Sequence, residues 1–274
     1  MKFSCVDQVV RWRLCMGCGA CAQRCPEGSI ELVNVPDSGI RPRVDQAQCR
    51  RCGECVAVCP GIDLDHPEPA SAEAGFIPSL YGAWGSVCRM AEGYAVDETV
   101  RFGGSSGGVV TALAQYALEN ETVAGIFQVG TDPDTPLANR TALNTTAEAV
   151  RTCAGSRYGP AAGCDNLTRI KDAAALCVFI GKPCEIAALE KFRRIDPGLD
   201  AKIALTISIF CAGTPTLRGT HALIEAMGLA PDSVEAIRYR GRGWPGHAAV
   251  TDKDGSVREL SYAGAWGGIL SKHG

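Results

Sequence analysis

The sequence predicts a mixed α/β (α+β) core preceded by a small cysteine-rich domain. Eight of the 15 cysteines lie between Cys15 and Cys59, in two runs with identical spacing. After them, apolar runs of strand length alternate with segments of helical periodicity, which favours an α/β core. The 274 residues are enough for one large domain or two smaller ones.

The cysteine runs have the spacing of iron-sulfur cluster ligands. They read Cys15-x2-Cys18-x2-Cys21-x3-Cys25-Pro26 and Cys49-x2-Cys52-x2-Cys55-x3-Cys59-Pro60. Three thiolates so spaced can hold one side of a [4Fe-4S] cubane, and in bacterial two-cluster ferredoxins the last cysteine of each run binds the other cluster. The predicted ligand sets are Cys15, Cys18, Cys21 and Cys59, and Cys25, Cys49, Cys52 and Cys55. Structural zinc, which usually takes two separated cysteine pairs, is the weaker alternative.

Composition excludes several other classes of protein. Hydrophobic residues make up 46% and charged residues 21%, as in an ordinary globular protein, and no apolar run is long enough for a membrane helix. The net charge of -3 gives no basic field for nucleic acid. The first residues do not form a secretory signal, so we expect a reducing, cytoplasmic location and partners that are small molecules or proteins.

The remaining elements follow in order along the chain. Residues 1–66 form the predicted ferredoxin domain, with short strands at 29–33 and 42–44, and the polar stretch around 67–84 is predicted to be a linker. Beyond it, strands are predicted at 123–129, 175–180, 203–210 and 234–239, and helices at 107–120 and 184–194.

The loop before the first long helix has the composition of an anion-binding site. Ser105, Ser106, Gly107 and Gly108 combine hydroxyl donors with glycines that allow close backbone approach. The N–H groups of the following helix add positive potential, which suits the phosphate of a flavin or nucleotide. An N-cap serine with turn glycines would look the same without any ligand.

A dinucleotide-binding fingerprint also occurs, at 241–246, but we reject it as a Rossmann site. The fingerprint must open a helix, whereas this segment runs into a strand pattern at 247–251. A tight turn lining a pocket is the better interpretation.

Two later cysteines follow successive strands of the predicted sheet. Cys184 lies in the first turn of a predicted helix, where the helix N-terminus and Lys182 favour a thiolate. Cys211 ends the next strand, so the two residues could meet at one site, although a buried, inert cysteine remains an alternative for Cys184. Lys182 could face a phosphate or a reduced flavin.

Five motifs in this order resemble the coenzyme F420 hydrogenase/dehydrogenase beta subunit family over nearly the whole chain. They are Ser-Ser-Gly-Gly at 105–108, Gly-Ser-Arg-Tyr-Gly-Pro at 155–160, Gly-Lys-Pro-Cys-Glu at 181–185, Phe-Cys-Ala-Gly-Thr-Pro at 210–215 and Arg-Gly-x-Gly-Trp-Pro-Gly at 240–246. The resemblance implies a flavoprotein core with FAD at the serine-glycine loop, and a further [4Fe-4S] cluster near Cys184 or Cys211. It also implies electron exchange with the deazaflavin coenzyme F420 and with a ferredoxin or partner subunits.

The resemblance also suggests how the core is divided. We expect an N-terminal beta-subunit module with the flavin loop at 85–165 and a C-terminal module at 166–274. Family members usually continue beyond the Tyr-x-x-x-Trp-Gly segment at 262–267 into another cysteine-rich stretch, so we expect the C-terminal module to be truncated and the further cluster to lack ligands.

Three functions remain open on the sequence alone. An FAD- and iron-sulfur-dependent oxidoreductase uses every motif, because a flavin joins one-electron clusters to two-electron hydride transfer. An electron-carrier subunit would use the clusters alone. A hydrolase acting through Cys184 and His247 would leave the clusters without a role. Within the first function, the substrate could be coenzyme F420, a tetrapyrrole or a quinone.

Overall fold

A computed structural model of the chain describes residues 3–64, 75–120 and 123–273. Residues 3–64, which we call the cysteine module, contain three short helices and one hairpin. They are α1 (Val6–Arg11), α2 (Ala20–Arg24), β1 (Ile30–Val35), β2 (Gly39–Val44) and α3 (Glu54–Ala57). The strands are antiparallel, with Ile30 opposite Val44 and Val35 opposite Gly39. The hairpin lies between the two cysteine runs, where the sequence predicts two short strands.

The two cysteine runs fold in the same way. Gly19 precedes α2 with φ +88° and Gly53 precedes α3 with φ +83°, a region that glycine enters at little steric cost. Each glycine allows the chain to turn sharply into a helix of one turn or little more. The third cysteine of each run, Cys21 or Cys55, is thereby buried. The sequence repeat is therefore also a structural repeat.

The core contains a four-stranded mixed sheet in the order β4-β3-β5-β6. Its strands are β3 (Gly125–Thr131), β4 (Asn139–Asn144), β5 (Cys177–Gly181) and β6 (Ile203–Ser208). β3 pairs parallel to β5 and β5 parallel to β6, whereas β4 is antiparallel to β3. All five residues of β5 are buried, as expected for a central strand covered on both faces.

Beyond the cysteine module, seven α-helices of the described part of the chain come before or between the strands of this sheet. They are α4 (Tyr81–Trp84), α5 (Glu98–Gly103), α6 (Val109–Glu119), α7 (Ala147–Thr152), α8 (Thr168–Lys171), α9 (Pro183–Ile195) and α10 (Pro197–Asp200). Helix α9 buries Leu189 and Phe192 in an apolar cluster with Phe127 and Phe179, whose rings stack at 5.6 Å. Helix α6 packs with Ala114 in a second cluster that includes Ile126.

A separate three-stranded antiparallel sheet lies near the end of the chain. It is built from β7 (Val234–Arg238), β8 (Ala248–Asp252) and β9 (Val257–Leu260), preceded by α11 (Leu217–Ala226). The buried Tyr239 hydroxyl and Thr220 hydroxyl are hydrogen-bonded at 2.8 Å, which satisfies both polar groups inside the apolar cluster of this sheet.

The mixed α/β class predicted from the sequence is confirmed, and every predicted strand and long helix has a counterpart within a few residues. The segment predicted to be a linker, 67–84, is described only in part, and the described part contains helical turns. Residues 65–74 lie outside the described residues, and Pro78–Leu80 and Tyr81–Trp84 are helical turns. In the described ranges, no helix combines the length and apolar character needed to cross a bilayer.

The cysteine module packs directly on the core. Ala20 and Val58 are fully buried in the same apolar cluster as Phe127 and Leu189. The Cys164 amide donates a hydrogen bond to the Cys18 carbonyl at 2.8 Å. We expected a module tethered by a linker, but apolar burial of this kind instead joins the two parts into one packed structure.

Candidate functional site

The eight cysteines of the two runs surround two separate cavities. A small cavity of about 20 Å³ is lined by Cys15, Cys18, Cys21 and Cys59, and we call it the inner site because Cys18 contacts the core. A second small cavity of about 20 Å³ is lined by Cys25, Cys49, Cys52 and Cys55, and we call it the outer site because Cys52 is exposed. The structure thus brings together the two sets predicted from the spacing, including the exchange of the fourth cysteine.

The thiols line these cavities and do not converge on one point. Within the described part of the chain, no three His, Cys, Asp or Glu side chains are placed to hold a single metal ion. In a cubane each cysteine binds a different iron, so its ligands surround a volume. Four cysteines around one cavity therefore fit a polynuclear cluster.

Burial and a hydrogen bond shift the pKa values of the inner-site thiols in opposite directions. Burial raises the pKa of Cys21 well above its ordinary value and that of Cys59 to about 11. A hydrogen bond with Cys164 lowers the pKa of Cys18. Because metal ligation requires thiolates, loading this site must release protons.

The outer site has two polar neighbours that the sequence analysis did not identify. The Cys5 sulfur lies 3.8 Å from the Cys49 sulfur, and the Ser29 hydroxyl lies 3.2 Å from the Cys25 sulfur. Burial raises the pKa of Cys5 to about 12. Cys5 stands outside the repeated spacing, and no pattern in the sequence marks Ser29.

The serine-glycine loop is held by contacts from two distant segments. Gly107 and Gly108 both have φ +69°, and α6 begins at the next residue. The Ser105 hydroxyl is hydrogen-bonded to the Ser156 hydroxyl, and Arg240 Nη2 donates to the Ser105 carbonyl at 2.9 Å. Three of the sequence motifs, at 105–108, 155–160 and 240–246, therefore meet at one place.

The 240–246 segment packs closely against the residues just before the serine-glycine loop. A Cβ on Gly241 would lie 2.8 Å from the Gly103 carbonyl oxygen, and the Gly243 amide donates to the Phe102 carbonyl at 3.2 Å. Phe102 and Trp244 are exposed, Trp244 by 83%. Exposed aromatic rings beside positive-φ glycines and a helix N-terminus combine apolar and anion-binding surfaces.

The structure agrees with the rejection of a Rossmann site at 241–246. This segment connects β7 to β8, which are antiparallel, and no helix follows it. Its glycines allow close packing against the C-terminal end of α5, which contains Phe102.

Lys182, Cys184 and Cys211 lie together, away from the contacts of the serine-glycine loop. They line a cavity of about 390 Å³ between the core and the cysteine module, together with Gly17 and Arg41. Cys184 occupies the first turn of α9, as predicted. The structure thus brings the two cysteines to one cavity, and that cavity adjoins the loop of the inner site.

The predicted thiolate character of Cys184 is wrong for the free thiol. Burial, followed by the charge of Glu185, raises the pKa of Cys184 to about 12. Lys182 does lower this pKa, but its ammonium group pairs with Glu185, which is 1% exposed. The Glu185 carboxylate also accepts hydrogen bonds from the Gly163 amide at 3.0 Å and the Lys182 amide at 2.7 Å. A protonated Cys184 does not suit a hydrolase nucleophile.

Comparison with known sequence families gives three matches along the chain. Residues 14–61 match the 4Fe-4S dicluster domain. Residues 90–167 match the family described as coenzyme F420 hydrogenase/dehydrogenase, beta subunit N-term, and residues 175–272 match the corresponding C terminus. The N-terminal domain is thus of the 4Fe-4S ferredoxin type.

Curated relatives match parts of the chain. A coenzyme F420-dependent sulfite reductase of Methanocaldococcus jannaschii is 26% identical over 167 residues, 55% of this chain and 26% of that protein. A ferredoxin of Pyrobaculum islandicum is 33% identical over 66 residues, 24% of this chain and 58% of that protein. The chain therefore spans between about a quarter and just over half of these two relatives.

A solved structure is also similar. A chain of the F420-reducing [NiFe] hydrogenase complex from Methanosarcina barkeri aligns with a TM-score of 0.47 and 21% identity, covering 64% of this chain and 60% of that one.

Proposed function

Because the chain belongs to the coenzyme F420 hydrogenase/dehydrogenase beta subunit family, we propose that it is an iron-sulfur flavoprotein oxidoreductase. It exchanges electrons between two [4Fe-4S] clusters and, through FAD, a hydride carrier such as coenzyme F420. The observation that carries the proposal is the pair of cysteine-lined cavities in one module packed on the core. When bound, the clusters supply single-electron transfer and FAD supplies the exchange between single electrons and hydride.

The inner and outer sites would hold the clusters through the eight cysteines of the two runs. Their arrangement indicates which site faces a protein partner and which site faces the core. Cys52 at the outer site is exposed, so this site is accessible to a protein partner such as a ferredoxin or another subunit. Cys18 at the inner site bonds through its backbone to the core. The outer site therefore faces the protein partner and the inner site faces the core.

The residues around the serine-glycine loop fit FAD. Gly107 and Gly108 give the loop a backbone of positive φ, the N-terminus of α6 suits a phosphate, and Arg240 fixes the loop through the Ser105 carbonyl. Phe102 and Trp244 present exposed rings of the kind that pack on a flat conjugated group. We propose that Ser105 and Ser106 complete the binding loop.

Cys184 and Cys211 would contribute to a further [4Fe-4S] cluster in the cavity that they share. This cavity adjoins Gly17, between two ligands of the inner site, which supports electron exchange between the two positions. Lys182 lines the same cavity. We therefore propose that Lys182 acts at this cavity and not at the flavin phosphate.

Metal analysis tests the two clusters. Reconstituted protein should contain about eight iron and eight acid-labile sulfide atoms per chain at the two sites, since each cubane holds four of each. Cys18→Ala should lose about half of them, whereas Cys88→Ala, which changes an exposed cysteine outside both runs, should lose none. Zinc in stoichiometric amount with little sulfide would contradict the proposal.

Cofactor binding tests the flavin. Gly107→Val should weaken FAD binding, because a branched side chain would require a strained φ and meet the Tyr94 Cβ at 3.3 Å. Gly255→Val is the matched control: Gly255 also has positive φ, but its position is open and lies in the β8–β9 turn. Flavin absorbance after titration and gel filtration measures the difference.

The alternative, an electron carrier without its own flavin, predicts a different result. It predicts two full clusters and no FAD bound by the unaltered protein. Where FAD is bound, stopped-flow mixing of the oxidised protein with reduced coenzyme F420, and of the dithionite-reduced protein with a quinone or a tetrapyrrole, separates the substrates. Only a hydride donor or acceptor that reacts with the flavin should change the flavin spectrum.

A further inference from the structure

The outer site has two hydrogen-bond donors that are not members of the cysteine runs. Cys5 lies 3.8 Å, sulfur to sulfur, from Cys49, and the Ser29 hydroxyl lies 3.2 Å from the Cys25 sulfur. Both side chains are buried, Cys5 at 2% and Ser29 at 4% exposure. Water therefore has little access to either group, and each lies against a different ligand of one site. Cys5 also interacts with Asp7 and with Cys55, a third ligand of the outer site.

The direction of donation follows from ligation. Cys25 and Cys49 carry no proton once they bind iron, so their sulfurs can only accept. The Ser29 hydroxyl and the Cys5 thiol, which belongs to neither cysteine run, are the groups that have a hydrogen to donate at these two contacts. With a cluster bound, both contacts would therefore be hydrogen bonds to ligand sulfurs.

The backbone holds both donors in place. Cys5 caps α1, and its amide and carbonyl both bond to Gln8 at 3.3 Å. The Ser29 carbonyl accepts from the Asp45 amide at 2.8 Å, and the Asp45 carbonyl accepts from Cys49 at 3.0 Å. Ser29 is thus connected to the second cysteine run through two backbone hydrogen bonds.

We propose that Cys5 and Ser29 are positioning residues that raise the reduction potential of the outer cluster by hydrogen-bonding to the Cys49 and Cys25 sulfurs. A donor withdraws charge from a ligand sulfur and favours the reduced, more negative cluster. The outer cluster faces the protein partner, so these donors make it a better acceptor of electrons from that partner. The inference rests on the proposed pair of clusters.

The test is an EPR-monitored redox titration of reconstituted full-length protein carrying Cys5→Ala, Ser29→Ala or both. In each single variant the same one of the two cluster midpoints should fall. At a fixed ambient potential, the ratio of reduced to oxidised cluster should drop about threefold per lost hydrogen bond, equivalent to about 28 mV at 59 mV per factor of ten. The double variant should show about the sum of both shifts.

Two controls separate tuning from damage. Cys5→Ser keeps a donor and should retain most of the potential that Cys5→Ala loses. Cys88→Ala, at an exposed cysteine, should move neither midpoint.

The iron content distinguishes a failure of the proposed function from a failure of the proposed role of Cys5 and Ser29. If unaltered protein lacks about eight irons at the two sites, the proposed function fails. If it holds them and the midpoints of the variants are unchanged, or the two variants move different midpoints, only this inference fails. Loss of about four irons in Cys5→Ala would also overturn it, because Cys5 would then be a ligand.

Discussion

Gly163→Ala should destabilise the protein because Glu185 occupies the space that a side chain would need. A Cβ at this position would lie 2.5 Å from both carboxylate oxygens of Glu185. The carboxylate is fully buried and cannot move into solvent, and it accepts the Gly163 amide hydrogen bond at 3.0 Å. The substitution therefore combines overpacking with a weakened bond to a buried charge.

The expected loss of unfolding free energy follows from the overpacking and from the weakened hydrogen bond. Overpacking a tight interior costs about 1 to 3 kcal/mol, and a hydrogen bond to a charged group contributes about 1.5 to 3 kcal/mol. Their sum is about 2.5 to 6 kcal/mol. One kcal/mol moves the Tm of a protein of about this size by roughly 2 to 4 °C, so the Tm should fall by at least about 5 °C.

Calorimetry and urea unfolding of the reconstituted protein measure this effect. Gly82→Ala is the matched control, because Gly82 lies in α4 with no neighbouring atom within 4 Å of an added Cβ. Its Tm should change little or rise, since alanine favours helix over glycine. Equal Tm values for the two variants would refute the claim that Glu185 fills the Gly163 position.

Three further outcomes are expected. Arg240→Lys should weaken FAD binding, measured by flavin fluorescence, because one ammonium cannot replace guanidinium bonds to both the Ser105 and Pro245 carbonyls; unchanged affinity would contradict the role of Arg240. Gly19→Val should disturb the junction of module and core and lower iron content, because its Cβ would lie 2.9 Å from the Ala162 Cβ; full iron loading would contradict this. Reduced, metal-free protein should lose stability as pH rises above about 9, because burial raises the folded-state pKa of thiols such as Cys177 and Cys184 above the value of 9.0. Urea midpoints that stay level from pH 8 to pH 10.5 would refute the last expectation.

The cysteine spacing carried the most information in the sequence. A run of three thiols fixes which residues can share one local turn, and the exchange of the fourth cysteine is the pattern known from bacterial two-cluster ferredoxins. The structure groups Cys59 with the first run and Cys25 with the second in the same way. Local spacing is a property of short segments, and it was therefore accessible without coordinates.

Contacts between distant segments were not accessible in the same way. Cys5 reaches Cys49 across 44 positions, and the Lys182 and Glu185 pair lies against Gly163. The sequence pointed to Lys182 as a phosphate or flavin contact because it follows a glycine at a helix start. Its pairing with a buried carboxylate depends on how the 161–164 loop packs, which no local pattern encodes.

One strand of the core sheet was missed for a related reason. The strand β4, at 139–144, alternates too weakly in hydrophobicity to be predicted, and its antiparallel place at the sheet edge comes from pairing with β3. Partial burial at an edge leaves less apolar pattern than the full burial of β5.

The apolar cluster that Ala20 and Val58 share with the core makes the cysteine module a poor candidate for exchange between proteins. Both residues are fully buried against core side chains such as Phe127 and Leu189. A foreign ferredoxin grafted at residue 64 would bring its own solvent-adapted surface to that contact, and it would leave core side chains exposed. Chimeras with a new electron-transfer module should therefore need matching small apolar residues at these two positions before they fold as one unit.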